Sequence, residues 1–169
     1  MPSFFVFENG KYISEYCKKI QHQLQMNHSI AIVAIARLEN PYINEWIEYH
    51  LNLGFSHFYI FDNSCGNEIH IDKAILDEHK EYTTVIPAYN KKSCQKQVYE
   101  DAYIMFNDQH DYMLYIDIDE FFTLNMPWDI SRYIDFISRI CPDFTDIRIN
   151  WELYDDNDSI DRDRTIPVT

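Results

Sequence analysis

Residues Ile30–Ala36 are all apolar, and this uninterrupted run constrains the fold more than any other stretch of the chain. A strand exposed on one side alternates apolar and polar residues, whereas a strand covered on both faces is apolar throughout. Strands of the second kind belong to parallel sheets that carry helices on both sides. The run therefore predicts a central parallel strand, and it is too short to span a bilayer, which takes about 20 residues.

Strand-like and helix-like patterns alternate along the rest of the chain. The other predicted strands are His57–Phe61, Tyr82–Ile86, Tyr112–Ile116 and Asp146–Leu153. The predicted helices are Tyr12–Gln25, a helix with Asn40 as N-cap, Pro41 at its first position and Gly54 at its end, Ile71–His79, Ser93–Asn107 and Trp128–Ile140. This alternation predicts a single α/β domain with a Rossmann-like, mostly parallel sheet and helices on both faces.

The charge balance narrows the range of partners. The chain carries 28 acidic and 14 basic side chains, for a formal net charge of -14. We therefore expect neither nucleic acid nor an anionic membrane surface as a partner. An anionic nucleotide would need a divalent cation or the lysines Lys91, Lys92 and Lys96 to offset the repulsion. Four scattered cysteines without metal-ligand spacing and no recognisable signal peptide favour a cytoplasmic protein without a transmembrane segment.

Two aspartates follow the predicted strand Tyr112–Ile116, separated by one residue. On an extended strand, Asp117 and Asp119 would point to the same side, about 6 to 7 Å apart. Carboxylates beside Ile118 and neighbouring aromatic residues are costly to desolvate unless hydrogen bonds, water or a metal ion compensates them. The spacing suits one divalent cation; the alternative is that the aspartates only cap the turn after the strand.

Polar residues follow each of the first four predicted strands. In open α/β sheets, ligands bind beyond the carboxyl ends of the strands, so these positions are the candidate site. The residues are Arg37 and Glu39, Asp62 and Asn63, Tyr89 and Asn90, and Asp117, Asp119 and Glu120. Glu120 should point away from the two aspartates and act as a structural hydrogen-bonding partner.

Three segments together resemble a known enzyme family. The segments Ala34–Gly54, His57–Asn63 and Tyr115–Phe121 are similar, in this order, to the family 2-like and family 92-like glycosyltransferases. Asn150–Asn157 resembles a later segment of bacterial members that build surface polysaccharide or lipopolysaccharide. The resemblance implies a GT-A fold, a nucleotide-sugar donor with UDP favoured, a saccharide acceptor, and Mn²⁺ or Mg²⁺.

The resemblance also suggests roles for individual residues. Asp119 matches the metal ligand of the family's DxD motif, and Asp117 matches the carboxylate that contacts the ribose or the metal. Asp62 matches an aspartate that accepts a hydrogen bond from the nucleobase; the alternative is an Asx turn in Asp62–Gly66. Arg37 is a candidate neighbour of the nucleotide or, alternatively, the partner of Glu39 or another surface acid.

Further candidates come from position alone. Lys96, one turn into its predicted helix, is a candidate phosphate contact, although a solvated lysine is the commoner case. Trp46, His50 and Trp151 are candidate sugar platforms, although helical spacing favours a core role for Trp46 and His50. An inverting transfer needs a carboxylate base, and the candidates are Glu152, Asp155 and Asp156.

Two other functions remain open from the sequence. Asp117–Leu124 superficially imitates the DxDxT/V signature of haloacid-dehalogenase-like phosphatases, but Phe121 occupies the Thr/Val position and the strand is about the fourth rather than the first. A binding module that holds a nucleotide sugar without turnover is the other alternative. We also expect the chain to be truncated at its C-terminus, leaving room for acceptor contacts and peripheral membrane association through the missing part.

Overall fold

The computed structural model describes residues 28–150. The strands are β1 (Ile30–Ala36), β2 (His57–Asp62), β3 (Thr83–Pro87) and β4 (Tyr112–Tyr115). The α-helices are α1 (Ile43–Asn52), α2 (Gln95–Phe106) and α3 (Ile130–Ile140), and two 3₁₀ helices cover Ile71–Lys73 and Asp77–Tyr82. The predicted helix Tyr12–Gln25 lies outside the described residues.

The four strands form one sheet in the order β3-β2-β1-β4. All three pairings are parallel, with Ala31 opposite His57, Phe58 opposite Thr83 and Ile30 opposite Tyr112. The apolar run that forms β1 is therefore paired on both edges. The α/β class with a Rossmann-like parallel sheet is confirmed.

The two faces of the sheet bury separate apolar cores, because successive side chains of a strand point to opposite sides. On one face, Ile32 and Ile60 belong to a cluster with α1 and α3. On the other face, Val33 and Phe61 pack with α2. Helices thus cover both sides of β1, as its continuous apolar sequence predicts.

Helix α1 begins later than the sequence indicates. Tyr42, not Asn40, occupies the N-cap position, and the Asn40 side chain instead donates hydrogen bonds to the carbonyls of Ile69 and His70 at 3.2 and 3.4 Å. The preferred N-cap residue is therefore used to hold the β2–β3 connection. Gly54 follows the helix with a φ of 97°, in agreement with the predicted stop.

The prediction of a single helix over Ile71–His79 is wrong. Two 3₁₀ helices replace it, and Asn44 of α1 explains the break. Its side chain donates to the Ala74 carbonyl at 2.8 Å and accepts from the Leu76 amide at 2.9 Å. Both backbone groups are thereby diverted from the bonding that a continuous α-helix requires.

The segment after α3 also differs from its prediction. Residues 146–150 form no strand, and residues 151–153 of the predicted strand Asp146–Leu153 lie outside the described part. Ile147 is half-buried against the α1 and α3 core, so packing accounts for an apolar position that suggested a strand, and Phe144, just before the predicted strand, packs against the same core. None of the helices between residues 28 and 150 has the length and apolar character to cross a bilayer.

Candidate functional site at the carboxyl ends of β1 and β4

The strand order creates a crevice at one edge of the sheet. From β1 the chain proceeds through β2 to β3 on one side, and then returns to place β4 on the other side of β1. Ligands of doubly wound sheets bind at this kind of switch point, outside the carboxyl ends of the strands. Here Arg37 and Glu39 follow β1, while Asp117, Asp119 and Glu120 follow β4.

The two aspartates lie on a turn rather than on an extended strand. Strand β4 ends at Tyr115, and the Glu120 amide donates to the Asp117 carbonyl at 3.1 Å. The extended conformation from which their spacing was predicted is therefore wrong. Ile118 is buried between the aspartates, Asp117 is half-buried and Asp119 is exposed. The turn thus directs one carboxylate toward the protein and the other toward solvent.

Helix α2 holds the Asp117 carboxylate. Asp117 Oδ1 accepts hydrogen bonds from Gln95 Nε2 at 2.9 Å and from the Tyr99 hydroxyl at 3.3 Å. Burial, with an added contribution from the charge of Asp117, raises the pKa of Tyr99 to about 12, so Tyr99 remains a donor at neutral pH. Glu120 caps the same turn by accepting from the Asp117 amide at 3.1 Å, which confirms its predicted structural role.

An open groove of about 920 Å³ adjoins this carboxylate. Its lining residues come from α2 and β4: Gln95, Lys96, Tyr99, Glu100, Tyr103, Ile104 and Tyr115. Asp117 does not line the groove itself, but the groove shares Gln95 and Tyr99 with the Asp117 carboxylate, and three tyrosines contribute to its walls.

Negative charge is concentrated in the crevice. Burial raises the pKa of Glu39, against the effect of its hydrogen bond from the Arg37 amide, and the charges of Asp119 and Asp117 raise it further. Burial also raises the pKa of Glu120, and the same two aspartates contribute. Burial is the main cause of both shifts, and a bound cation would relieve the smaller part that comes from repulsion between the carboxylates.

The donor set fits a divalent cation that arrives with its ligand. Between residues 28 and 150, no three His, Cys, Asp or Glu side chains converge as a ready-made metal cage. Mg²⁺ commonly uses only one or two carboxylates together with phosphate oxygens and water. Asp119 suits this arrangement, because its exposed carboxylate makes no side-chain hydrogen bond to the described part of the chain.

Asp62 is fully buried, and protein groups occupy both carboxylate oxygens. Oδ1 accepts from the Ser64 amide at 3.0 Å and from the Ser64 hydroxyl, which is the Asx turn offered as an alternative. Oδ2 lies 3.2 Å from both His70 Nδ1 and the Ile71 amide. A nucleobase would have to displace one of these groups, so the described contacts favour the turn role, and the nucleobase contact stays a prediction.

Arg37 and Lys96, the two basic residues predicted to lie near the nucleotide, are both paired with acidic side chains. Arg37 Nη2 lies 2.9 Å from Glu68 Oε1, and Glu68 also accepts from the Cys65 amide at 2.7 Å. This pair links the loops that follow β1 and β2, in agreement with the alternative reading of Arg37. Lys96 is 90% exposed and lies 3.7 Å from Glu100. It remains free to move toward a ligand in the groove.

Trp46 and His50 are fully buried and belong to the core, so neither is a sugar platform. Trp151 and the three base candidates Glu152, Asp155 and Asp156 lie outside the described residues. Sequence reasoning missed Gln95 and Tyr99, which reach Asp117. Their spacing of four residues, one helical turn, was the only sequence signal for a shared direction.

Comparison of the chain with known protein families, with functionally characterised proteins and with solved structures found no match.

Proposed function

We propose that this chain binds a nucleotide-sugar donor, with UDP as the favoured nucleotide, as part of a divalent-metal-dependent glycosyltransferase that acts on a saccharide acceptor. The observation that carries the proposal is that Glu39, which follows β1, and Asp117, Asp119 and Glu120, which follow β4, all lie at the switch point between these two strands. Surface-polysaccharide or lipopolysaccharide synthesis is the setting that the sequence resemblance suggests.

The two aspartates would have different roles in binding the donor. Asp119 would hold Mn²⁺ or Mg²⁺ from the solvent side, and Asp117, held by Gln95 and Tyr99, would contact the ribose or the metal. The cation, when bound, supplies positive charge to the diphosphate leaving group. In a chain with a net charge of -14, a diphosphate without a cation would be repelled from this crevice.

The phosphatase alternative receives less support. A nucleophilic aspartate needs an accessible carboxylate oxygen aligned with phosphorus. Asp117 is half-buried, and Gln95 and Tyr99 both donate to its Oδ1. It also lies two residues beyond the end of β4, an edge strand of the four-stranded sheet.

The test is a titration of residues 1–169 with UDP, with and without Mn²⁺, followed by thermal unfolding. We expect UDP to raise the unfolding temperature only with Mn²⁺, since a ligand at 100 times its Kd stabilises the folded state by about 2.7 kcal/mol. Asp119→Asn should abolish the effect. Asp143→Asn is the matched control, because it removes the same charge from an exposed residue in the turn after α3.

Equal stabilisation by UDP in the parent and Asp119→Asn proteins would contradict the metal assignment. Turnover separates an enzyme from a binding module: with UDP-sugar and water, an enzyme of this class releases free sugar and UDP. Donor binding without sugar release, in the presence of a panel of saccharide acceptors, would favour the module. An acid-labile aspartyl-phosphate formed from a phosphomonoester would instead favour the phosphatase.

A further inference from the structure

We infer that Trp46, Tyr49 and His50 of helix α1 position the aspartate turn for donor binding; that this turn binds the donor rests on the proposed function. All three side chains bond to the backbone of the segment just after the aspartates. Trp46 Nε1 donates to the Glu120 carbonyl at 2.8 Å, and the Tyr49 hydroxyl donates to the Phe122 carbonyl at 3.1 Å. The Phe122 amide donates to His50 Nε2 at 3.2 Å.

These bonds give an irregular segment the partners that a sheet would otherwise supply. Residues 120–122 follow the end of β4 and belong to no strand or helix. Buried backbone groups in such a segment need hydrogen-bond partners from elsewhere. Here side chains of α1 form three hydrogen bonds with the backbone of residues 120–122. Phe121 adds ring contacts to Tyr49 and His50, at centroid distances of 5.1 and 5.9 Å.

The connection continues from this segment to Asp117. The Glu120 amide donates to the Asp117 carbonyl at 3.1 Å, and the Glu120 carboxylate accepts from the Asp117 amide at 3.1 Å. Fixing the Glu120 carbonyl through Trp46 therefore also constrains the main chain that carries both aspartates. Helix α1 holds the backbone of the turn, while α2 holds the Asp117 carboxylate through Gln95 and Tyr99.

A purely structural role predicts a different outcome from a positioning role. If the bonds only stabilise the core, their loss should lower the free energy of unfolding and leave ligand affinity unchanged. If they set the direction of the aspartates, their loss should also weaken the Mn²⁺–UDP complex in protein that remains folded. Affinity therefore distinguishes the two roles.

Tyr49→Phe is the sharpest variant, because it removes one hydroxyl and keeps the ring against Phe121. Tyr59→Phe is its matched control: the Tyr59 hydroxyl bonds to Gln109 and His110, which precede β4 at the opposite end of the sheet. We expect the Kd for UDP with saturating Mn²⁺ to rise about fivefold in Tyr49→Phe, since a hydrogen bond is worth about 1 kcal/mol. In Tyr59→Phe it should stay within about twofold of the parent value.

A second pair of variants tests the acceptor at position 50. His50→Gln keeps an acceptor for the Phe122 amide, whereas His50→Leu does not, so glutamine should retain more donor affinity than leucine. Amide hydrogen exchange of residues 117–122 gives a readout that needs no ligand. It should be faster in Tyr49→Phe than in the parent protein and unchanged in Tyr59→Phe.

The outcomes separate this inference from the proposed function. A parent protein that binds no UDP with Mn²⁺ would overturn the proposed function and the donor-binding part of the inference. A parent that binds UDP, with equal affinity in Tyr49→Phe and Tyr59→Phe, would overturn the inference alone. Unchanged exchange at residues 117–122 in Tyr49→Phe would show that the hydroxyl does not hold the turn.

Discussion

The buried imidazole of His50 should make the stability of the fold depend on pH. Its Nε2 accepts from the Phe122 amide, so Nδ1 must carry the proton and donate to the Trp46 carbonyl at 2.8 Å. Burial lowers the pKa of His50 to about 4, against the effect of the Trp46 hydrogen bond. A second proton would place an uncompensated charge in the core and remove the acceptor for Phe122.

Proton linkage gives the direction in which the stability changes with pH. The unfolded chain, with an ordinary histidine pKa near 6.5, binds a proton below that pH, whereas folded His50 stays neutral until about pH 4. The stability that depends on neutral His50 is therefore present above pH 6.5 and is lost as the pH falls toward 4. Between pH 7.5 and 5.5 the loss should be about 1 kcal/mol.

Urea unfolding of the parent and His50→Gln proteins at pH 7.5 and 5.5 measures the contribution of His50 to the pH dependence of the free energy of unfolding. Both pH values lie above the pI, which is near 4.7. The protein therefore keeps a net negative charge, which disfavours association. Other groups titrate in both proteins, so the difference between their pH dependences isolates His50. The parent should lose about 1 kcal/mol more than the variant, and equal losses would refute the assignment of a buried neutral imidazole.

Three further predictions concern stability and use urea unfolding at pH 7.5. Gly66→Ala, at a φ of 59° with open space around it, should cost about 1 kcal/mol. Gly54→Ala should cost about 1 kcal/mol more, because its φ of 97° lies outside the left-handed helical region of about 50 to 70° that non-glycine residues can adopt. Equal costs would argue against this difference in backbone strain. Asp129→Ala should lose about 1 kcal/mol with the N-cap bond to the Arg132 amide, and no loss would show that water replaces this bond. Asp62→Asn should lose about 1 to 3 kcal/mol, since an amide nitrogen cannot accept from Ile71; an unchanged free energy of unfolding would reopen the nucleobase role.

The sequence predicted those parts of the fold that depend on local pattern. The run Ile30–Ala36 could be assigned to a buried parallel strand because its composition alone excludes a solvent-facing side. The end of β4 could not be predicted, because the backbone beyond the local turn of Asp117 and Glu120 finds its hydrogen-bond partners on the side chains of α1. The course of the chain after β4 therefore depends in part on tertiary contacts.

The candidate site shows the same division between local and distant information. The carboxylates after β1 and β4 could be predicted to share one edge, because parallel strands place their carboxyl ends together. The partners of Asp62 could not be predicted, since His70 lies eight residues further along the chain and is held by Asn40, which comes from the loop after β1. From the sequence, Asn40 suggests a helix N-cap. Only the folded structure shows that its side chain instead donates hydrogen bonds to backbone carbonyls about 30 residues away.

The central place of β1 also has a consequence for synthesis on the ribosome. Strand β2 ends at Asp62, whereas β4, which covers the other edge of β1, begins only at Tyr112. At about 5 to 20 residues per second, several seconds pass before that edge can be paired. During this interval a strand of seven apolar residues presents free backbone groups to other nascent chains. Rapid overproduction should therefore favour inclusion bodies, and slower translation or a holdase chaperone should raise the soluble yield.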